Sequence, residues 1–87
     1  MTYLVDGTEY DEDEVEEMTM AELQDIKKIA EKQARDADIL INRGKSEWEK
    51  HGRDPAYGLP PERYQELKTR RAEALGLIEA IKLEMGE

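Results

Sequence analysis

The chain has 87 residues, no cysteine, 38% hydrophobic and 40% charged residues, and a formal net charge of −9. Residues 1–87 fit one small domain with a thin core. The composition excludes disulfides and thiol chemistry, and no apolar run reaches the roughly 18 residues that a membrane span needs. Because the N-terminus also lacks the pattern of a signal peptide, we expect a soluble, cytoplasmic protein without membrane contact.

The acidity is concentrated at the N-terminus. Residues 1–18 contain eight acidic side chains and no Lys or Arg, residues 19–51 are balanced, and residues 52–87 have a net charge of −1. Binding to nucleic-acid phosphates requires clustered Lys and Arg. Since the densest basic group, at residues 68–71, is flanked by acidic residues, we expect no direct nucleic-acid binding.

Residues 2–10 predict a β-hairpin. Asp6-Gly7 is a favoured two-residue turn, because both central positions of a type I′ turn adopt positive φ. The flanking residues are β-branched or aromatic, as strands prefer: Tyr3, Val5, Thr8 and Tyr10. A two-stranded hairpin is marginal by itself in water, so it must dock on the helices or pair with another chain. The alternative is an extended acidic segment.

An acidic run, residues 11–17, follows the hairpin. We interpret it as one helical turn capped by Asp11, with Val15 facing inward and the acids near the positive end of the helix dipole. The functional alternative is a divalent-ion site. The run lacks the Gly that the Ca²⁺-binding loop pattern requires after its alternating acids, so we expect no metal and no cofactor.

Residues 19–51 form the long predicted helix. Thr19 and Glu22 have the spacing of a capping box. Apolar and small residues recur in steps of three and four, as one face of a helix requires: Leu23, Ile26, Ala30, Ala34, Ala37, Ile41, Gly44 and Trp48. A second interpretation is a stop or kink near Gly44, which is typical of a helix end and is followed by a second capping pattern at Ser46.

Residues 52–60 contain two Gly and two Pro and form the connector. Residues 61–86 form the second helix, because Pro61 suits a first helical position. In an antiparallel pair, facing residues have numbers that sum to about 112, which places Trp48 against Tyr64 and Gly44 or Lys45 against Leu67.

The same register places Arg71 in the contact line opposite Ile41, and so near Asp38, which lies one helical turn from Ile41. An unpaired charge at such a position is costly, so we predict an ion pair between Asp38 and Arg71. The predicted fold is mainly α: an antiparallel, coiled-coil-like two-helix hairpin preceded by the β-hairpin or the extended acidic segment.

Apolar residues outside this contact line are too numerous for two helices to bury. Ile29 and Leu40 lie to one side of the first apolar stripe, and Leu77 lies to the same side of the second. Either the N-terminal hairpin or a second copy of the chain covers this face. We expect both, with a homodimer that completes a four-helix bundle over the middle of the rod.

The connector end offers further candidate interface residues, of the types that dominate binding hot spots: Trp48, Arg53, Tyr57 and Tyr64. The alternative is that they only close the helical hairpin. Catalysis is not expected, because the single histidine, His51, is better explained as a helix-end residue than as a general base. Gly44-Lys45-Ser46 lacks the upstream glycine of a phosphate-binding loop.

Two functions remain. The first is a non-enzymatic protein–protein interaction or assembly module, which binds a different protein, a second copy of this chain, or both. Small accessory proteins of larger assemblies, phage ones among them, often have this architecture. The alternative is an acidic regulator that occupies a basic surface, as a nucleic-acid mimic would. High salt should weaken binding by an acidic regulator, whereas it should not weaken binding through an apolar surface.

Overall fold

The computed structural model describes residues 2–54 and 56–86 and shows two long helices packed side by side, with a β-hairpin docked on them. The elements in chain order are β1 (Thr2–Val5), β2 (Thr8–Asp11), α1 (Glu12–Glu17), α2 (Met20–Lys50) and α3 (Pro61–Met85). The described part of the molecule is a rod with extents of 50 × 19 × 17 Å. The mainly helical fold with an N-terminal hairpin is therefore as the sequence predicts.

The β-hairpin has the predicted turn. β1 and β2 pair antiparallel, with Tyr3 opposite Tyr10. Asp6 and Gly7 have φ angles of 52° and 78°, the two positive values that a type I′ turn requires. The N-terminal segment is thus a hairpin and not an extended tail.

The short helix α1 turns the chain from the hairpin towards the long helices. Its N-cap is Asp11, whose carboxylate accepts a hydrogen bond from the Asp13 amide at 3.4 Å. Val15 points inward and is 1% exposed. The acidic run therefore forms the capped helical turn that the sequence predicts.

Helix α2 begins at the predicted capping residue and runs unbroken for 31 residues. The Thr19 hydroxyl accepts from the Glu22 amide at 3.3 Å and donates to the Glu22 carboxylate at 3.1 Å. The helix ends in a Schellman motif, in which the Arg53 amide donates to the Trp48 carbonyl at 2.8 Å and the Gly52 amide to the Glu49 carbonyl at 3.3 Å. The alternative stop at Gly44 is therefore wrong.

Gly44 is instead a point of close approach. A Cβ atom at this position would overlap the side chain of Leu59, and one at Gly58 would lie 2.9 Å from Trp48 Cδ1. The end of the connector thus folds back onto α2. Leu59 thus contacts Gly44, where the predicted register placed Leu67. The physical reason is that the connector packs against α2 and does not loop out beyond it.

The core lies at the hairpin end of the rod. It joins the hairpin, α1 and both long helices through buried side chains that include Tyr3, Val5, Leu23, Leu77, Ile78 and Ile81. The small residues Ala30 and Ala34 of α2 lie in this cluster with the larger side chains of α3, which allows close helix approach. Each fully buried large apolar side chain contributes roughly 1.5–3 kcal/mol to stability.

The hairpin is docked on α3 through the ring of Tyr3. A Cβ atom at Gly76 would lie 2.6 Å from Tyr3 Cε1, so the ring rests on bare helix backbone. The Tyr3 hydroxyl donates a hydrogen bond of 3.0 Å to the Glu12 carboxylate. Gly76 therefore weakens α3 locally in isolation but provides the surface on which the hairpin docks.

We expect Gly76→Ala to destabilise the protein by roughly 1–2 kcal/mol, because overpacking against the buried Tyr3 ring outweighs the gain in helix propensity. In a Tyr3→Ala background the same change should stabilise the protein by up to about 1 kcal/mol. Urea unfolding of the four proteins measures both effects. The same sign in both backgrounds would contradict the contact.

Burial raises the pKa of the Tyr3 phenol above its ordinary value of 10.0, and the hydrogen bond to Glu12 and the charge of that carboxylate act in the same direction. The fold therefore favours the neutral phenol. Its contribution to stability is fully present below the pKa of the unfolded chain and is lost as the pH rises through the raised pKa of the folded state.

We expect Tyr3→Phe to cost about 1 kcal/mol near pH 7, where the hydrogen bond is intact. The difference from the wild type should shrink as the pH rises past about 10, because only the wild type then loses its neutral phenol. Urea unfolding between neutral and alkaline pH measures the difference. Tyr57→Phe, at an exposed tyrosine, is the control measured over the same pH range.

Candidate protein-interaction site

The tip of the hairpin is fixed to both long helices by one side chain, Gln33 of α2. Its carboxamide oxygen accepts from the Asp6 amide at 2.8 Å. Its nitrogen donates to the carbonyl oxygens of Leu4 at 3.3 Å and Arg70 at 2.9 Å. Because a side-chain amide combines donors and an acceptor, one glutamine forms hydrogen bonds with the backbone of β1, of the turn and of α3.

An open cleft of about 550 Å³ lies beside this anchor, where the hairpin tip meets the two helices. Ala37 and Leu67 line its floor and are 3% and 1% exposed. Its apolar walls remain open to solvent, with Ile29 and Leu40 each 38% exposed and Leu4 46% exposed. The cleft thus presents an apolar surface that this chain does not cover.

Charges of both signs surround the cleft. Asp6 and Asp36 supply two carboxylates, and Lys32 and Arg70 supply two cations. Arg70 is already paired, because its guanidinium lies 2.8 Å from the Glu66 carboxylate. This mixed rim differs from the single-sign surface of a nucleic-acid or phosphate site.

The structure corrects one member of the predicted interface. Leu77 is 0% exposed and lies in the core cluster with Tyr3 and Val5 of the hairpin. Of the three residues predicted on this face, Ile29 and Leu40 line the cleft together and Leu77 does not. The reason is that the hairpin docks on α3, and Gly76 beside Leu77 lets it approach closely.

At the connector end, the aromatic rings have separate partners. The Arg53 guanidinium lies 5.6 Å from the centre of the Trp48 ring, and the Lys68 ammonium 5.2 Å from that of Tyr64. Tyr57 stacks on His51, with ring centres 3.8 Å apart and planes inclined by 14°. The predicted Trp48–Tyr64 pairing is not among the ring contacts of the described residues.

These cation–π and stacking contacts engage all four candidate interface residues at the connector end, Trp48, Arg53, Tyr57 and Tyr64. Trp48 is 37% and Tyr57 is 52% exposed, so part of each ring still faces solvent. Asp54 organises the turn, since its carboxylate accepts from the Ala56 amide at 3.0 Å and its carbonyl accepts from the Tyr57 amide at 3.0 Å. The connector end is therefore a folded turn with a partly exposed aromatic surface.

The ion pair predicted between the long helices is present. Arg71 Nε lies 2.7 Å from Asp38 Oδ1. The two side chains are 47% and 49% exposed, so the pair lies at the edge of the helix interface and not within it. An exposed pair of this kind contributes only roughly 0.2–1 kcal/mol to stability.

Other kinds of site find no support in the described ranges, 2–54 and 56–86. They contain no group of three or more His, Asp or Glu side chains arranged to hold a metal ion. None of the helices there combines the length and apolar character needed to cross a bilayer.

Comparison with known proteins adds no relative to this picture. No protein-family model, curated protein or solved structure shows significant similarity to the chain. The surfaces of this molecule are therefore the basis for its proposed function.

Leu4 and Gln33 are among the cleft residues that sequence reasoning did not assign to the candidate interface. Leu4 faces away from the buried side of β1, as strand alternation requires for a residue between Tyr3 and Val5. An apolar residue at an outward position was the available signal. Gln33 gave no such signal, because a polar residue beside an apolar helix stripe is usually solvated.

We expect Gln33→Met to release the hairpin tip, because it removes all three hydrogen bonds while keeping the side chain similar in size. The cost should be about 1–2 kcal/mol in the free energy of unfolding. Hydrogen exchange of the Asp6 amide should become at least about tenfold faster, because its acceptor is lost.

Gln24→Met, at an exposed position of the same helix, is the matched control and should leave the Asp6 amide unchanged. Equal exchange of this amide in the wild type and in Gln33→Met would show that Gln33 does not hold the tip.

Proposed function

We propose that this protein is a non-enzymatic protein-interaction or assembly module whose binding surface is the cleft formed by Leu4, Ile29 and Leu40. The observation that carries this proposal is the exposure of three large apolar side chains around one concave surface with a buried floor. Concave apolar surfaces with a few polar groups at the rim are typical of binding sites.

The construction of the rod supports this assignment. The hairpin covers Leu77 and the neighbouring core residues but ends at Asp6-Gly7, beside Leu40 and Leu67. The exposed walls are therefore not a consequence of loose folding, because the hairpin tip is tied down by Gln33. A fixed apolar surface pre-organised in this way binds at a lower cost in conformational entropy.

The occupant can be a different protein or a second copy. A homodimer that joins two helical hairpins across this face would be the four-helix bundle expected from the sequence. The exposed rings at the connector end, Trp48 and Tyr57, lie outside the cleft and provide a secondary contact surface of the kind found in hot spots.

An acidic regulator is the second candidate. The acidic side chains of α1 at positions 12–14, 16 and 17 are all exposed, and residues 1–18 have no basic side chain to neutralise them. This surface would attract a basic partner at low salt. Such binding would weaken steeply with ionic strength, whereas docking in the apolar cleft would not.

A photo-crosslinking amino acid placed at position 40 in the producing cells tests the proposal. We expect a defined covalent adduct, because Leu40 would lie in the interface. Ile39 and Leu75 are the matched controls, since they are 46% and 41% exposed and do not line the cleft. Their positions should give no such adduct.

The adduct from position 40 should persist at high salt and disappear when Ile29→Asp is also introduced. Loss of the adduct at high salt would favour the acidic regulator. No adduct from position 40, or the same adducts from all three positions, would overturn the proposal.

A further inference from the structure

The exposed face of α2 has a pattern that fits its own copy. Ile29 and Leu40 are 11 positions apart, close to three helical turns, so they share one side of the helix about 16 Å apart. They are equally exposed, at 38% each. If a second α2 packs antiparallel with its two-fold axis halfway between them, each Ile29 meets the other copy's Leu40.

The charges between these residues follow the same symmetry. Lys32 lies three positions after Ile29 and Asp36 four before Leu40, so the two-fold axis brings Lys32 of one copy within one residue, about 1.5 Å along the helix, of Asp36 of the other. Both side chains are exposed. Within residues 2–54 and 56–86, neither forms an ion pair. An interface between identical chains must be self-complementary in this sense.

A second pair of opposite charges continues the pattern. Asp25 and Arg43 lie on the same side of α2, outside the first pair, and the axis places each near the other in the second copy. In a parallel arrangement, each of these residues would face the same residue of the second copy, and the two like charges would repel each other. The segments of residues 1–18, each with a net charge of −8, would also lie side by side. The charges thus select the antiparallel arrangement.

One like-charged pair results, because the axis brings Glu22 near the second copy's Glu47. Each of these carboxylates already has partners in its own chain. Glu22 accepts from the Thr19 hydroxyl at 3.1 Å. Glu47 lies 3.9 Å from Lys50 Nζ and 3.5 Å from His51 Nε2. Both are near the ends of the interface, where solvent weakens repulsion.

We infer that the occupant of the exposed α2 face is a second copy of this chain, held antiparallel by Ile29–Leu40 contacts and Lys32–Asp36 ion pairs. The inference rests on the proposed function, since it names the partner of the same surface. The inferred dimer has a defined register of its two α2 helices as well as a defined stoichiometry.

Cysteine pairing tests the register, and the chain has no native cysteine to interfere. Ile29→Cys and Leu40→Cys proteins are oxidised separately and as an equal mixture. The mixture should give the disulfide-linked dimer, because the two positions face each other. Each protein alone should give little, since like positions lie about 16 Å apart, beyond the reach of a disulfide. Ile39→Cys mixed with Ile29→Cys is the control and should also give little.

Charge exchange tests the ion pairs by sedimentation equilibrium. We expect Lys32→Asp or Asp36→Lys alone to weaken self-association roughly tenfold, because the two-fold axis repeats each new repulsion. The double variant, with both charges exchanged, should associate within about twofold of the wild type, since each pair is restored with opposite polarity.

Three results would overturn the inference: a mass of one chain at high concentration, disulfides linking like positions, or no recovery in the double variant. These differ from failure of the proposed function. If the chain is monomeric but the crosslinker at position 40 still captures a different protein, the surface is an interface and only the occupant named here is wrong.

Discussion

The contact between the Tyr3 ring and the bare backbone at Gly76 is the constraint on which the rest of the molecule depends. Two helices whose contact line is rich in alanine bury little surface by themselves. The hairpin adds the missing apolar side chains and encloses Leu77 and Ile81, both 0% exposed. A side chain at position 76 would hold the hairpin away from α3, and the core would then open to water.

The same docking determines where the proposed binding surface lies. The hairpin stops at the Asp6-Gly7 turn, and Gln33 ties that turn to both long helices. The part of the rod beyond the turn has no third layer, so its side chains outside the helix interface stay exposed. Leu40 therefore lies at the boundary between a three-layered end and a two-layered end, which is where a concave apolar surface forms.

The distribution of charge along the rod fits the proposed association between proteins. The acidic side chains of residues 1–18 lie at the hairpin end, whereas the middle of α2 has charges of both signs. In the proposed antiparallel dimer, this distribution would keep the acidic ends of the two rods apart while their central faces meet. The connector end is a folded turn whose cation–π and stacking contacts join Arg53 to Trp48 and His51 to Tyr57.

The sequence by itself determined the features that depend on neighbours along the chain. The Thr19 cap, the Asp6-Gly7 turn and the helical stripes are local, so their patterns predict them directly. The contact of Leu59 with Gly44, the burial of Leu77 and the anchoring role of Gln33 are visible only in the folded structure. Each depends on two segments far apart in the chain that approach closely where a glycine or an amide permits it, and no local pattern records that approach.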